Sequence, residues 1–127
     1  MRIAIVDDCE NERNELCKRL SQSSFSRSYD IEICEYNSGT DFLNEAMQNR
    51  FDLVFMDIYM EKESGIDAAQ KLREFDRDCL LVFTTTSTDH ALEGFRVRAL
   101  HYLVKPYSDE ELDMLLDEIS QKISVEE

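Results

Sequence analysis

Three aspartates, a run of threonines and one lysine are spaced along this 127-residue sequence in a way that indicates a shared chemistry. Asp7 and Asp8 follow the apolar run RIAIV, and Asp57 follows the run DLVFM. The threonines at 84–86 close a third apolar run, and Lys105 follows HYLV. Each polar group stands where a short apolar segment ends. Such a pattern is typical of buried parallel strands that deliver functional side chains to one edge of a sheet.

These residue types favour phosphoryl chemistry with a divalent cation. Three crowded carboxylates repel one another, and Mg²⁺ (or Mn²⁺) relieves that repulsion through oxygen ligands and retained water. Neither His nor Cys occupies these segment ends, which argues against zinc. The charges of Mg²⁺ and Lys105 would balance three carboxylates, so the pocket could accept a phosphoryl group. Asp57 would be the nucleophile, with the metal and Lys105 stabilising the equatorial oxygens.

Each member of this set also has an ordinary structural explanation. Asp7 and Asp8 could cap a helix or lie in a solvated turn. Asp57 could end a strand, and Lys105 could belong to a loop with a cis peptide bond before Pro106. The combination is far more specific than any single member, because every residue stands at its own strand end.

The elements that must position these residues alternate along the chain. Apolar runs predict strands at 2–6, 31–36, 52–56, 80–84 and 101–104. Helical periodicity predicts helices at 10–22, 39–48, 65–75 and 109–123, with serine caps at Ser38, Ser64 and Ser108. A β-α unit repeated five times predicts an α/β fold with five helices. Its single parallel sheet is covered on both faces, joined by right-handed crossovers, and binds ligands beyond the carboxyl ends of its strands.

Composition excludes several classes of protein. The sequence has 14 Lys and Arg against 28 Asp and Glu, a formal net charge of −14, which is unfavourable for direct binding to nucleic acid or to an anionic membrane. No apolar run approaches the roughly 20 residues that span a bilayer, and the first residues do not form a signal peptide. Four cysteines without a C-x-x-C motif predict free thiols in the cytoplasm.

The sequence resembles the receiver domain of two-component response regulators over essentially its whole length. The matching segments are VDD (6–8), DLVFMDIYM through Gly65, FTT (83–85) and YLVKP (102–106). The stretch HALEGFRVRALHYLVKP is similar to receivers that precede LytTR-type DNA-binding domains. Glu61 stands where the family usually has proline, and Thr86 where alanine or glycine is common. The expected organisation is one receiver domain over 1–127 without an output domain, as a fragment of a longer regulator.

The resemblance implies a flavodoxin-like sheet of strand order 2-1-3-4-5 and a role for each site residue. Asp57 would accept a phosphoryl group from a sensor histidine kinase. Asp7, Asp8, Asp57 and the backbone carbonyl of Tyr59 would hold Mg²⁺, and Lys105 would contact the phosphoryl oxygens. The protein would be a switch with self-catalysed phosphoryl transfer and slow autodephosphorylation, not an enzyme in the ordinary sense.

The output of such a switch is expected on the surface formed by the helix between the fourth and fifth strands, the fifth strand and the last helix. The resemblance makes Thr85 the switch hydroxyl and Tyr102 the switch aromatic. The charges favour a solvated acidic face on the last helix. The alternative hypothesis is a symmetric dimer in which Arg96 and Arg98 meet Asp113 or Asp117. The resemblance assigns nucleic-acid binding to an absent output domain, for which the LytTR type is the expectation.

Three rival functions make distinguishable predictions. A metal-dependent phosphohydrolase usually needs a second acid two residues after the nucleophile, where this sequence has Tyr59. A nucleotide or flavin binder would need a glycine-rich loop, and the sequence has only three scattered glycines. A stand-alone or degenerate receiver that acts as an interaction module would not need the complete set of acids, threonine and lysine.

Overall fold

The computed structural model describes residues 1–126, and the side chains of residues 1–123, so the last residue of the predicted domain lies outside the described part. Five parallel strands form one sheet in the order β2-β1-β3-β4-β5, which confirms the predicted α/β fold and strand order. The strands are β1 (Arg2–Val6), β2 (Glu32–Tyr36), β3 (Leu53–Asp57), β4 (Leu80–Thr85) and β5 (His101–Val104).

Within residues 1–126, six helices cover the sheet. They are α1 (Glu10–Gln22), α2 (Phe25–Ser28), α3 (Gly39–Ala46), α4 (Gly65–Phe75), α5 (Ala91–Arg96) and α6 (Asp109–Glu126). The predicted serine caps of α3, α4 and α6 are present, because Ser38, Ser64 and Ser108 each accept a hydrogen bond of 3.1 Å from the backbone N–H three residues later. Each cap satisfies a backbone N–H group in the first turn of its helix.

The predicted number of five helices is wrong by one. The additional helix, α2, has only four residues and follows α1 after two residues. One turn is too short to produce a periodic apolar pattern, so Phe25 contributes a buried side chain without a helical signal in the sequence.

The two faces of the sheet carry separate apolar cores. Side chains of α1, α2 and α6 pack on one face, around Ile5, Phe55 and Leu103. Side chains of α3 and α4 pack on the other face, with Val97 after α5, around Phe83 and Met56. The three central strands are buried on both faces, so apart from Arg2 at the start of β1 their residues are apolar until each strand reaches its carboxyl end.

None of the helices within residues 1–126 is both long enough and apolar enough to cross a membrane.

Candidate functional site

Asp7, Asp8 and Asp57 meet at the carboxyl edge of the sheet, as the sequence predicted. Each offers a carboxylate oxygen, and these oxygens all lie within 4.8 Å of one another. Asp57 is the last residue of β3, and the other two follow β1 directly. Asp7 and Asp57 are buried while Asp8 is exposed, so the cluster opens to solvent on one side.

Backbone contacts hold the first two carboxylates in place. Oδ1 of Asp7 accepts a hydrogen bond of 2.9 Å from the Cys9 backbone N–H, where the chain turns into α1. The Arg13 guanidinium donates to the backbone carbonyl of Asp7 at 2.7 Å. Oδ2 of Asp8 accepts a bond of 2.9 Å from the Glu61 backbone N–H, which ties this residue to the β3–α4 loop. Both carboxylates are thus oriented by the chain itself.

Burial changes the acidity of Asp57. Loss of solvent and the neighbouring charge of Asp7 raise the pKa of Asp57 from 3.8 to about 7, although the charge of Lys105 and a backbone hydrogen bond from Tyr59 lower it. A carboxylate that is poorly solvated is a stronger nucleophile than one that water surrounds. A bound cation would also stabilise such a carboxylate strongly, because burial has removed the water that would otherwise solvate its charge.

Lys105 faces three carboxylates from the end of β5. Its ammonium nitrogen lies 3.0 Å from Oδ2 of Asp7, 3.6 Å from Oδ1 of Asp57 and 2.6 Å from Oε2 of Glu12. Burial alone would lower the pKa of Lys105, but the hydrogen bonds to Glu12 and Asp7 and the charge of Asp57 outweigh it and raise that pKa. The ammonium is therefore fully charged at neutral pH.

The donor set fits a magnesium ion. All three side chains are carboxylates, and their spacing allows oxygens from each to reach one ion, which matches the oxygen preference of Mg²⁺. The exposed side at Asp8 leaves room for the waters that Mg²⁺ retains. The role of the Tyr59 carbonyl as a fourth ligand stays a prediction.

Thr85 and Tyr102 lie close to this edge but on the opposite face of the sheet from the lysine. Strand residues alternate between faces, so Thr85 shares the face of Phe83, whose ring lies 5.5 Å from that of Tyr102. By the same alternation Asp57 shares the face of Phe55, and Lys105, just beyond β5, shares that of Leu103, which α1 and α6 cover. Asp57 pairs with Thr84 in the neighbouring strand, so Thr85 is the residue directly after the partner of Asp57 at the same edge.

The two predicted switch residues are held in their present positions by specific bonds. Thr85 is fully buried, and its hydroxyl accepts a hydrogen bond of 3.2 Å from the Ser87 backbone N–H. The Tyr102 hydroxyl donates to the backbone carbonyl of His90 at the start of α5. A Cβ on Gly94 would lie 2.6 Å from two ring carbons of Tyr102, so the ring occupies space that only glycine leaves open.

The residues predicted for a dimer face solvent. Arg96 and Arg98 are exposed at the end of α5, and Asp113 and Asp117 are exposed on α6. Arg98 has a φ of 56°, a left-handed conformation that ends α5.

Sequence reasoning did not identify Glu12 or Gly94. Glu12 stands five residues after Asp7 in the first turn of α1, and a carboxylate there is an ordinary helix-dipole residue. Gly94 lies within the six-residue helix α5. Because glycine generally destabilises a helix, its presence in the sequence was the available signal of a special packing role.

Comparison with known proteins agrees with this geometry. The family model for the response regulator receiver domain matches residues 3–117. The chain belongs to the response regulator receiver domain family. This receiver is 33% identical to the sensory transduction protein LytT of Enterococcus faecalis over 123 residues, which are 97% of the chain and 49% of LytT. The receiver thus spans about half the length of that relative.

Solved receiver structures have the same fold. The response regulatory domain of protein mrkE from Klebsiella pneumoniae has a TM-score of 0.84 and 27% identity to this receiver, covering 96% of this chain and 97% of that one. Response regulator protein TrrA from Thermotoga maritima, in complex with Mg(2+)-BeF, has a TM-score of 0.77 and 27% identity, covering 93% of this chain and 97% of that one.

The receiver family is not an enzyme family in the usual sense, in agreement with the sequence prediction.

Proposed function

We propose that this receiver is a phosphorylation-dependent switch that takes a phosphoryl group from a sensor histidine kinase onto Asp57 in the presence of Mg²⁺. The observation that carries the proposal is the meeting of three carboxylates within 4.8 Å beside the Lys105 ammonium. Family membership and the TrrA complex with Mg(2+)-BeF support the same conclusion.

The transfer is a substitution at phosphorus. A carboxylate oxygen of Asp57 attacks the phosphorus of the kinase phosphohistidine, and a P–O bond forms while the P–N bond breaks. The electron pair of the broken bond remains on the imidazole nitrogen, which can then bind a proton. The product is an acyl phosphate on Asp57, and no further reactant is required.

Each neighbouring residue contributes to that step. Asp7 and Asp8, with Asp57 and the Tyr59 carbonyl, are the proposed ligands of the ion. Bound Mg²⁺ (or Mn²⁺) supplies positive charge against the phosphoryl oxygens. Lys105 supplies a second positive charge near Asp57, and its buried setting strengthens that interaction.

Phosphorylation would reach the surface through Thr85 and Tyr102. A phosphoryl group adds acceptor oxygens and about one to two negative charges. We propose that the Thr85 hydroxyl leaves Ser87 for those oxygens, and that Tyr102 then moves further inward on the same face of the sheet. Since Tyr102 is bonded to the start of α5, the change would alter the surface formed by α5, β5 and α6.

That surface is the proposed contact with a second copy of the chain. Leu92, Phe95 and Met114 are 62%, 79% and 73% exposed there, which is unusual for large apolar side chains. Arg96 and Arg98 on α5 would meet Asp113 and Asp117 of the second copy. Exposed ion pairs contribute only about 0–1 kcal/mol each, so the apolar side chains would supply most of the affinity.

The downstream effect is proposed to be transcriptional. The match covers 97% of this chain but only 49% of the sensory transduction protein LytT, so half of LytT lies outside the matched part. Binding to nucleic acid would belong to an output domain of the LytTR type, since the receiver itself has a net charge of −14. The four free cysteines agree with a cytoplasmic site of action.

Two alternatives remain distinguishable by experiment. A degenerate receiver would bind partners without being phosphorylated. A Mg²⁺-dependent phosphohydrolase would release phosphate continuously from small phosphomonoesters, although Tyr59 stands where such enzymes usually have a second acid.

The decisive experiment is incubation with Mg²⁺ and acetyl phosphate, followed by intact mass spectrometry. We expect the mass to rise by one phosphoryl group and expect Asp57→Asn or chelation of Mg²⁺ to abolish the rise. Asp30→Asn is the matched control, because Asp30 is exposed and its side chain lies outside the cluster. A rise that survives in Asp57→Asn would overturn the assignment of the acceptor.

A further inference from the structure

The shortest ion pair of Lys105 is with a residue outside the aspartate cluster. Its ammonium lies 2.6 Å from Oε2 of Glu12, compared with 3.0 Å from Asp7 and 3.6 Å from Asp57. A separation of 3.6 Å exceeds the ordinary hydrogen-bond range, so the Asp57 contact is one of charge only. Two of the three N–H donors are therefore taken by Glu12 and Asp7.

The start of α1 brings Glu12 to this position. The helix begins at Glu10, directly after the aspartates, and a carboxylate in its first turn is favoured by the helix dipole. The Glu12 side chain is 47% exposed, whereas that of Lys105 is 14% exposed. Glu12 thus covers the ammonium from the solvent side of the pocket, on the face that α1 occupies.

Glu12 and a phosphoryl group on Asp57 would compete for the same cation. Hydrogen bonds between two charged groups are roughly twice as strong as neutral ones, so both are strong acceptors. We propose, on the basis of the function proposed above, that Glu12 is a positioning residue that holds the Lys105 ammonium against α1 and opposes its transfer to the phosphoryl group. Glu12 therefore makes this receiver harder to phosphorylate than its aspartates and lysine alone would.

Binding of beryllofluoride, a phosphoryl mimic, tests this competition. The dissociation constant is measured by ¹⁹F NMR titration at saturating Mg²⁺ for the unmodified chain, Glu12→Gln and Glu15→Gln. Glu12→Gln keeps the shape but removes the charge, and we expect it to bind about two- to fivefold more tightly, the range for one exposed ion pair. Glu15 is an exposed acid of the same helix without an ion pair to Lys105, so Glu15→Gln should match the unmodified chain.

A second pair of variants shows whether Glu12 acts through the lysine. In a Lys105→Ala background the ammonium is gone, so Glu12→Gln should have no effect beyond that of Glu15→Gln. Such a double-mutant cycle isolates the Glu12–Lys105 coupling from any general effect on charge or folding.

The outcomes separate this inference from the function on which it rests. Unchanged or weaker binding by Glu12→Gln would overturn the role of Glu12. An equal gain in Glu15→Gln, or a gain that persists in Lys105→Ala, would overturn it as well. If the unmodified chain binds no beryllofluoride and acetyl phosphate adds no mass, the proposed function itself fails.

Discussion

At the scale of single residues, Asp57 combines a buried position with a charge that its reaction requires. A neutral carboxyl would be easier to bury, but only the carboxylate can attack phosphorus. The fold holds Asp57 beside Asp7 and offsets the repulsion only in part through Lys105. The stability of the metal-free domain is therefore linked to the ionisation of one side chain.

This linkage predicts how stability depends on pH. The unfolded chain releases the Asp57 proton near 3.8, whereas the folded chain holds it to about 7, so the folded state loses stability as pH rises between these values, by up to about 4 kcal/mol. Asn at position 57 does not ionise. We therefore expect Asp57→Asn to be more stable than the unmodified chain at pH 8 and nearly equal to it near pH 4.

Urea unfolding in the presence of a chelator measures this difference. Asp30→Asn, which replaces an exposed acid, should follow the unmodified chain at both pH values. A stability gain in Asp57→Asn that is the same at pH 4 and pH 8 would contradict a raised pKa of Asp57.

At the scale of elements, the strands could be predicted well because each apolar run ends at a polar residue. All five agree with the structure to within one residue at each end. Short helices could not be predicted in the same way. Helix α2 has four residues, and α5 has six with Gly94 among them, so neither presents a full apolar stripe.

The residues of the site likewise fall into those that the sequence could predict and those that it could not. The sequence was sufficient to bring Asp7, Asp8, Asp57 and Lys105 together, because parallel strands end at one edge and each residue follows its own strand. It was insufficient for Glu12, whose contact depends on how far a side chain reaches from α1 to the end of β5. Tertiary distances of that kind leave no periodic signal.

Gly94 makes the packing of Tyr102 on α5 testable. Alanine within a helix is ordinarily favoured over glycine by about 1 kcal/mol. At position 94, however, a Cβ would meet the Tyr102 ring 2.6 Å away, and such overpacking costs about 1–3 kcal/mol. We expect Gly94→Ala to lower the free energy of unfolding and to expel the Tyr102 ring.

Urea unfolding in two backgrounds provides the measurement. In Tyr102→Ala the ring is absent, so Gly94→Ala should be neutral or stabilising there. A loss of stability of equal size in both backgrounds would show that Gly94 is required for some reason other than Tyr102.

At the scale of the whole molecule, the net charge of −14 opposes association between copies. A dimer therefore needs a surface on which the acidic excess is locally offset. Arg96 and Arg98 provide positive charge next to the exposed side chains of Leu92 and Phe95, at the edge of the sheet where β5 lies.

Charge reversal tests this surface. We expect the domain with Mg²⁺ and beryllofluoride to dimerise in sedimentation velocity runs, and Arg98→Glu to weaken the dimer by about fivefold or more, because it replaces attraction to Asp113 or Asp117 by repulsion. Arg77→Glu, an identical change of charge at an exposed position between α4 and β4, should dimerise as the unmodified chain does. Equal dimerisation of both variants would exclude the proposed pairing.

The alternation of side chains in β3, β4 and β5 has a consequence for how such domains diversify. Lys105 and Asp57 belong to the face that α1 covers, whereas Thr85 and Tyr102 belong to the face of α5. Substitutions on the α1 face can change how readily Asp57 is phosphorylated. Substitutions on the α5 face can change which partner the output surface binds. After gene duplication, two copies could therefore come to respond to different kinases while they keep the same output partner. They could equally keep one kinase and acquire different output partners.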